Sequence, residues 1–577
     1  MGKAIWGEAM VDSASFFTRW VKLSPSILVI LLIVPVVAGL LGVLLPAFGW
    51  LPALGEDTLG VRGFEALWLT PGFVKMLALS FSTSLISTFF AVVLSILILG
   101  NYFNSRLLKY IQKLLGPILV IPHAAAAIAI GFLIAPSGLI MRLFSPWLSG
   151  AALPPDTLLP NDPYGLSIIL GLALKELPFV LLMAVAAMQQ KEIKQVIEGQ
   201  YKVAISLGYY PFTGFCKAVL PVLYPFMRLP VYAILAYSSA SIEIPLILGP
   251  NTPPTLAVAV MQWFNDVDLS LRIKASAGAL VQILVTLCVL FTWWLLEQGV
   301  KKFSFSKLTN GRRKYADSIW RVLTHYLTLL VIFSIALALL GLVLWSFAGY
   351  WSFPNAYPDQ LVTLHWQSAF KQLPETISDT VLVALAATGI ALFFALLALE
   401  AEQQRQKRLS SAASLMIYLP LLVPSIAFLF GIVWVKELIG VNAVFSIVVL
   451  GHLLFVMPYV FLSLATSYRK LDLRYAKVAA SLGCSPWKVF YAVKLPQLVP
   501  PILFSAALGL AISFSQYLPT LLLSGGRMNT LTTEAVAIAS GASRRISAVY
   551  VIMQLLLPAL GFILAWLIPK LLFRPRQ

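Results

Sequence analysis

Charge is what this 577-residue sequence has least of: 11% of its residues are Asp, Glu, Lys or Arg, where a soluble domain carries about 25%. Too few solvated side chains remain to cover a globule of this length, so a soluble fold is excluded. Acidic residues are the scarcer sign, 23 against 41 Lys and Arg. A net charge of +18 suits nucleic acid only when the basic residues gather on one soluble domain. Here they lie in short segments between apolar runs, and no nucleic-acid partner is expected. Cys216, Cys288 and Cys484 are the only cysteines, too few and too dispersed for a disulfide framework or a zinc site. The His, Asp and Cys residues form no set with metal-binding or nucleophile spacing, so no metal and no catalytic residue is assigned, and an embedded enzyme is disfavoured.

What the chain has instead is hydrocarbon. Hydrophobic residues make up 60% and the mean hydropathy is +0.89, which makes lipid the solvent. Apolar runs of the roughly 20 residues needed to cross a hydrocarbon core begin near Ile27, Val74, Leu114, Leu166, Pro225 and Ser276, and again near Leu323, Ile377, Ala413, Val444, Pro501 and Val549. The expected fold is an all-α membrane protein of twelve transmembrane helices, six plus six. The first run is too long for a signal-peptide core and lacks a small-residue cleavage site after it, so it is expected to remain as a span. With the N-terminus inside, Arg106, Lys109, Lys113, Lys191, Lys194, Lys202, Lys217, the basic segment 301–321, Arg405, Arg469 and Lys477 share one side, and the opposite loops hold fewer basic residues. The positive-inside rule then places both termini in the cytoplasm.

The two halves also repeat. Residues 202–221, KVAISLGYYPFTGFCKAVLP, and 477–496, KVAASLGCSPWKVFYAVKLP, match without gaps at ten of twenty positions, the mark of a duplicated unit. In each copy a short helix carrying Lys202 or Lys477 is expected to end at Gly208 or Gly483, where a left-handed cap costs glycine nothing. Three residues on, Pro211 or Pro486 suits the first position of a new helix, with Ser485 a good N-cap. That helix is expected to project Phe212 and Phe215, or Trp487 and Phe490, toward the cytosol and to stop before Leu220-Pro221 or Leu495-Pro496. A helix lying on the membrane surface is the plainer alternative for one copy; two copies with one Gly-to-Pro spacing speak against it.

These segments resemble the EAA loops of ABC-importer permeases, patterned Glu-Ala-Ala, three residues, Gly, nine residues, Ile-x-Leu-Pro. Gly208, Leu220 and Pro221, like Gly483, Leu495 and Pro496, keep the Gly to Leu-Pro spacing. Lys202 and Lys477 stand in place of the Glu, Val203 and Val478 of the first Ala, Ala218 and Val493 of the Ile. The whole chain is similar to the fused double-lobed permeases of ferric-iron, thiamine and polyamine importers, and the run TLTTEAV at 530–536 to a thiamine-permease-like subgroup. The resemblance implies a type I importer permease of a bacterial inner (plasma) membrane in two tandem six-helix lobes. They would be a cytoplasmic segment 1–25, a first lobe 26–298 with its loop near 198–225, a basic cytoplasmic linker 299–322, and a second lobe 323–577 with its loop near 473–500. It further implies that the loops dock two copies of a cytosolic ABC ATPase and that a periplasmic or surface solute-binding protein delivers the solute. ATP and magnesium would bind the partner, and no cofactor this chain. The string Leu523-Ser524-Gly525-Gly526-Arg527 looks like an ATPase signature, yet no Gly-x-x-x-x-Gly-Lys-Ser/Thr loop occurs anywhere, so it reads as a glycine turn closing a span.

A second repeat aligns Ser239-x-Ser241-x-x-x-Pro245-x-x-Leu248 with Ser513-x-Ser515-x-x-x-Pro519-x-x-Leu522. Proline inside a spanning helix frees a carbonyl, and serines satisfy it or face a polar cavity, so these residues either line the solute pathway or pack a kink. Ionisable groups within spans are rarer: Lys175, Glu176 and Glu243. A charge at the bilayer centre costs about 2.5–3.5 kcal/mol on insertion scales, so each faces a cavity or a partner. Glu243, whose counterpart is Tyr517, either lines the pathway or forms an ion pair, for example with Lys175. His123 and His452, on apolar stretches, read as packed residues. An ion-coupled secondary transporter also has two halves and midplane charges and stands as the alternative, although it needs no paired docking loops. The carboxylates favour a small cation such as thiamine or a polyamine as solute.

Overall fold

In lipid, backbone N–H and C=O groups are satisfied only within helices or closed barrels, and the long apolar runs here are helical. The computed structural model describes residues 2–572 except 116, 117, 119, 146, 149, 158 and 542; Met1 and 573–577, the ends of the expected 1–25 and 323–577 segments, lie outside the described residues. Among the described residues, 11 helices are long and apolar enough to cross a membrane, and 12 when one bent pair counts as a single span. They are α1 (Phe16–Ala47), α2 (Phe73–Asn101), α3 (His123–Phe144), α4 (Leu166–Met188), α5 (Pro211–Ser239) and α6 (Leu271–Thr309) in the first half. The second half has α7 (Asp317–Phe347), α8 (Leu373–Arg405), the bent α9 (Leu415–Leu422 with Ser425–Leu438), α10 (Val444–Tyr468), α11 (Pro486–Phe514) and α12 (Arg544–Leu572). Of the linker expected at 299–322, residues up to Thr309 continue α6 and those from Asp317 open α7.

Two boundaries depart from the hydropathy expectation. The run expected from Leu114 starts at His123 instead: Arg106–Leu115 is a separate amphipathic helix, and Pro122, with ψ 149, precedes α3. The run expected from Ala413 is bent by 96° between Leu422 and Ser425. Val423 there takes ψ 131, because a residue before proline is driven out of the helical region. Hydropathy counts apolar residues without registering direction, so it fuses helices that point different ways.

The halves carry matching devices. Ser80 Oγ in α2 accepts from the Leu256 N–H at 2.9 Å, and Thr380 Oγ1 in α8 accepts from the Leu531 N–H at 2.9 Å. Yet the halves are interleaved, since α1 packs on α8 and α9, and α7 packs on α2 and α3. The crossing of α1 and α9 is backbone on backbone: a Cβ built at Gly431 would stand 1.7 Å from the Gly39 carbonyl oxygen, and one at Gly39 2.2 Å from that of Phe428. Small residues allow this approach, which is how apolar helices gain contact in lipid. Arg142 of α3 is buried and donates to the carbonyls of Ser352, Asn355 and Trp351 at 2.7, 3.1 and 3.3 Å. That contact pins a loop of the second half to the first.

Candidate functional site

Each half sends out one loop, between α4 and α5 and between α10 and α11. In the first, the helix Lys191–Ser206 ends and Gly208 turns with φ +83; in the second, Leu473–Ser481 ends and Gly483 turns with φ +80. Pro211 and Pro486 then open α5 and α11, with the Ser485 hydroxyl accepting from the Lys488 N–H at 3.3 Å. Contrary to expectation, these helices do not stop before Leu-Pro. Pro221 and Pro496 lack an N–H and crowd the carbonyl four residues back. The chain absorbs this as one π turn, Phe215–Val219 and Phe490–Lys494, and runs on through Leu220 and Leu495 into the span.

Two of the aromatics, Phe215 and Phe490, turn the other way from the expected one, while Trp487 stays exposed. Phe215 and Phe490 are buried, packed on Phe103 and Phe17 at ring distances of 5.5 and 5.2 Å. Phe212 meets Trp320 at 6.1 Å and lies over Gly100, and Trp487 meets Phe17 at 5.1 Å. Residues three apart share one helix face, and this face anchors the loop to membrane helices. What projects instead is a paired apolar edge, Val203 with Leu207 and Val478 with Leu482, every one more than half exposed. Lys202 and Lys477 are exposed beside it. Tyr201 packs inward on Phe103 at 4.7 Å, and burial, then the Asp317 charge, pushes its phenol above the usual range.

The two loops are tied down by different chemistry. Thr213 donates its N–H and hydroxyl to Asp317 at 2.9 and 2.6 Å, and the Tyr210 N–H donates to the Arg313 carbonyl at 3.0 Å. On the second loop, Lys494 donates to Glu400 at 2.6 Å, with the Tyr468 hydroxyl on the same carboxylate. In the registers of Ser80 with Thr380 and Lys202 with Lys477, the first half has Gly100 and Val219 at those places.

Between the halves, the structure brings Glu176, Glu243 and Tyr517 together with residues not singled out for the pathway. His123 Nε2 lies 3.3 Å from Glu176 Oε1 and its ring 4.6 Å from that of Tyr237, whose hydroxyl donates to Glu243 at 3.5 Å. Tyr459 of the second half is within electrostatic reach of Glu176, and Tyr517 of Glu243. Glu243 is met by Tyr237 and Lys175 by the Ile118 carbonyl at 3.0 Å, in place of the ion pair considered between them. Pro245 and Pro519 kink no continuous helix. Each lies in the first turn of a new short one, Glu243–Leu248 and Leu518–Ser524, where a missing N–H costs nothing. Ser239 shares a hydrogen bond with Thr286 at 2.8 Å, Ser513 one with His452 Nδ1 at 2.7 Å, and Ser515 donates to the Ile512 carbonyl at 2.8 Å. Ser241 is buried, and its hydroxyl meets no hydrogen-bond partner among the described residues. Ser239 and Ser513 tie neighbouring helices together, and His452, bonded also to Thr520 at 2.8 Å, is packed as expected.

Residues 387–574 match the family described as binding-protein-dependent transport system inner membrane component. Over 522 residues, 90% of this chain and 93% of the relative, the sequence is 30% identical to the inner membrane ABC transporter permease protein YnjC of Escherichia coli strain K12. The chain belongs to the ABC transporter permeases. The permease is also 25% identical to the thiamine transport system permease protein ThiP of Haemophilus influenzae, over 78% of this chain and 80% of that one. A shorter relative, the molybdenum transport system permease protein ModB of Mycobacterium bovis, is 29% identical over 27% of this chain and 61% of its own. Membership makes the permease a multi-pass inner-membrane transport component and displaces the ion-coupled alternative. Of the residues passed over, the apolar edge of the permease had a signal, since Val203 and Leu207 are identical in the second copy. His123 had none, standing 53 residues from Glu176.

Proposed function

We propose that the permease forms the membrane pathway of an ATP-driven importer and draws its energy from two copies of a cytosolic ABC ATPase docked on its two loops. The observation that carries this reading is the duplicated apolar edge, Val203 with Leu207 and Val478 with Leu482, exposed at matched positions. A cleft on each ATPase would bury that edge, with acidic groups meeting Lys202 and Lys477. Phe212, Phe215, Trp487 and Phe490 then act by holding the docking helices against the spans, so that motion of the ATPases reaches α5 and α11. ATP and magnesium belong on the partner, a solute-binding protein serves the opposite face, and the basic loops put both termini in the cytoplasm.

The solute would pass between the halves at Glu176 and Glu243. Carboxylates and aromatic faces both attract cations; Tyr237 bonds Glu243, and Tyr459 and Tyr517 are within electrostatic reach of the pair, so a small, thiamine-like cation is the class that suits it. One relative's name, thiamine transport system permease protein, is in keeping with that class. The test is co-expression with the ATPase of the same operon, comparing wild type with Val203, Leu207, Val478 and Leu482 all changed to Ser. Co-purification should follow the wild type and be lost in a variant that stays monodisperse; retention by the variant sinks the docking assignment. Calorimetry of the operon's binding protein with thiamine and with spermidine tests the solute separately, and silence with both removes the cation reading.

A further inference from the structure

The first half holds a charged cluster that neither the loops nor the pathway uses. Arg228 of α5 donates to Glu297 of α6 at 2.9 Å, Tyr224 and Tyr232 donate to the same carboxylate at 2.7 and 3.2 Å, and Trp293 Nε1 donates to the Tyr224 hydroxyl at 3.4 Å. The Glu297 side chain is 11% exposed and supplied with donors, whereas that of Arg228 remains 47% exposed. Nε of the guanidinium neutralises Glu297, Nη2 reaches the Tyr232 hydroxyl at 3.5 Å with the group 5.4 Å from that ring, and Nη1 is left for a further acceptor.

It opens on a cavity of about 670 Å³, within the roughly 300–1,000 Å³ typical of ligand sites. The walls are mostly hydrocarbon: Leu40 of α1, Leu229 of α5, Leu287 and Leu290 of α6, and Val423-Pro424 at the bend of α9. The bend leaves this seam unfilled. Leu229 and Leu287 at its rim are 67% and 55% exposed, so the cavity opens sideways onto whatever bathes the spans. In a membrane protein that is lipid. Arg228 stands about two turns beyond Leu220, and the exposed Lys301 and Lys302 follow Glu297 by about one turn. The cluster therefore sits toward the loop-bearing end of the spans, where basic pockets between helices meet anionic head groups.

We propose that this crevice binds one anionic phospholipid from the leaflet on the loop side, with its phosphate on Arg228 and an acyl chain in the cavity. A guanidinium presents a planar fork that matches phosphate, and the apolar walls match the chain. The other half has no equivalent, since the place of Arg228 in the register of Lys202 with Lys477 is taken by Leu503. The stoichiometry is one lipid per chain.

Native mass spectrometry of the full chain in neutral detergent tests this, with phosphatidylglycerol or phosphatidylcholine of identical acyl chains as probes. One phosphatidylglycerol should be held about fivefold more tightly than phosphatidylcholine, the order expected of one basic residue near an anionic head group. The preference should vanish in the double variant Arg228→Gln/Glu297→Gln, which removes both charges together, and persist in Arg228→Lys. Leu229→Trp, which plugs the mouth and leaves the ion pair intact, should weaken binding of either lipid. Equal retention of the two lipids by wild type overturns the proposal, as does unchanged phosphatidylglycerol retention in both the double variant and Leu229→Trp. Competition by glycerophosphoglycerol, a head group without chains, at equal concentration also overturns it by revealing a site for free phosphate.

Discussion

Replacing Lys494 by Met would leave Glu400 a buried carboxylate without its cation. The two side chains are 9% and 3% exposed, with their charged atoms 2.6 Å apart. Tyr468 and Gln404 remain as donors to Glu400, but neither supplies charge. Removing one partner of such a pair costs about 3–5 kcal/mol, because the survivor stays desolvated without its counter-charge, whereas replacing both by neutral groups of similar volume is often close to neutral. Lys494→Met alone should therefore lose about 3–5 kcal/mol, and Lys494→Met/Glu400→Gln should recover most of it. Unfolding of the single and double variants in one detergent, followed by tryptophan fluorescence, measures the cycle. Because Lys494 closes the π turn of the second loop, the single variant should also hold its ATPase less well. A double variant whose loss equals the sum of the single losses to within about 0.5 kcal/mol would show the pair uncoupled and refute the reasoning.

Other outcomes follow from the same geometry. Phe215→Ala or Phe490→Ala should cost about 3–5 kcal/mol of stability as buried truncations, read as loss of monodisperse protein. Leu207→Ser or Leu482→Ser should leave stability within about 0.5 kcal/mol and lower ATPase retention in a pull-down. Gly431→Leu should force α1 off α9 and destabilise the chain by about 1–3 kcal/mol or more, seen in thermal melts. Glu176→Gln and Glu243→Gln should each slow uptake of a transported small cation into proteoliposomes about tenfold or more, from a lost charged contact of about 1.5–3 kcal/mol, with ATPase retention unchanged. Unaltered uptake in both removes these carboxylates from the pathway.

Features governed by local backbone chemistry are legible in the amino-acid sequence. Gly208 and Gly483 have to turn, and Pro211 and Pro486 have to open helices, whatever surrounds them. The 96° bend of α9 is readable in principle from Val423-Pro424, but a count of apolar residues hides it. The direction of Phe215 and Phe490 is not readable, since it depends on Phe103 and Phe17, which reach them only in the fold. The same holds for His123 with Glu176, and for the exchange of first helices between halves. The α1 side of that exchange rests on Gly39 and Gly431, residues whose contribution is the absence of a side chain.

The crossing of α1 and α9 has a consequence for biogenesis. Gly39 leaves the ribosome roughly 400 residues before Gly431, an interval of about 20–80 s at 5–20 residues per second. During that time the first helix lies in the bilayer with its glycine face uncovered, and only synthesis of the second half supplies the surface it fits. A fragment ending at the linker would carry that bare face permanently and lack α7 as its own cover. Joining both halves in one polypeptide guarantees that each first helix meets its counterpart at equal dose, which two separately made subunits could achieve only by encounter.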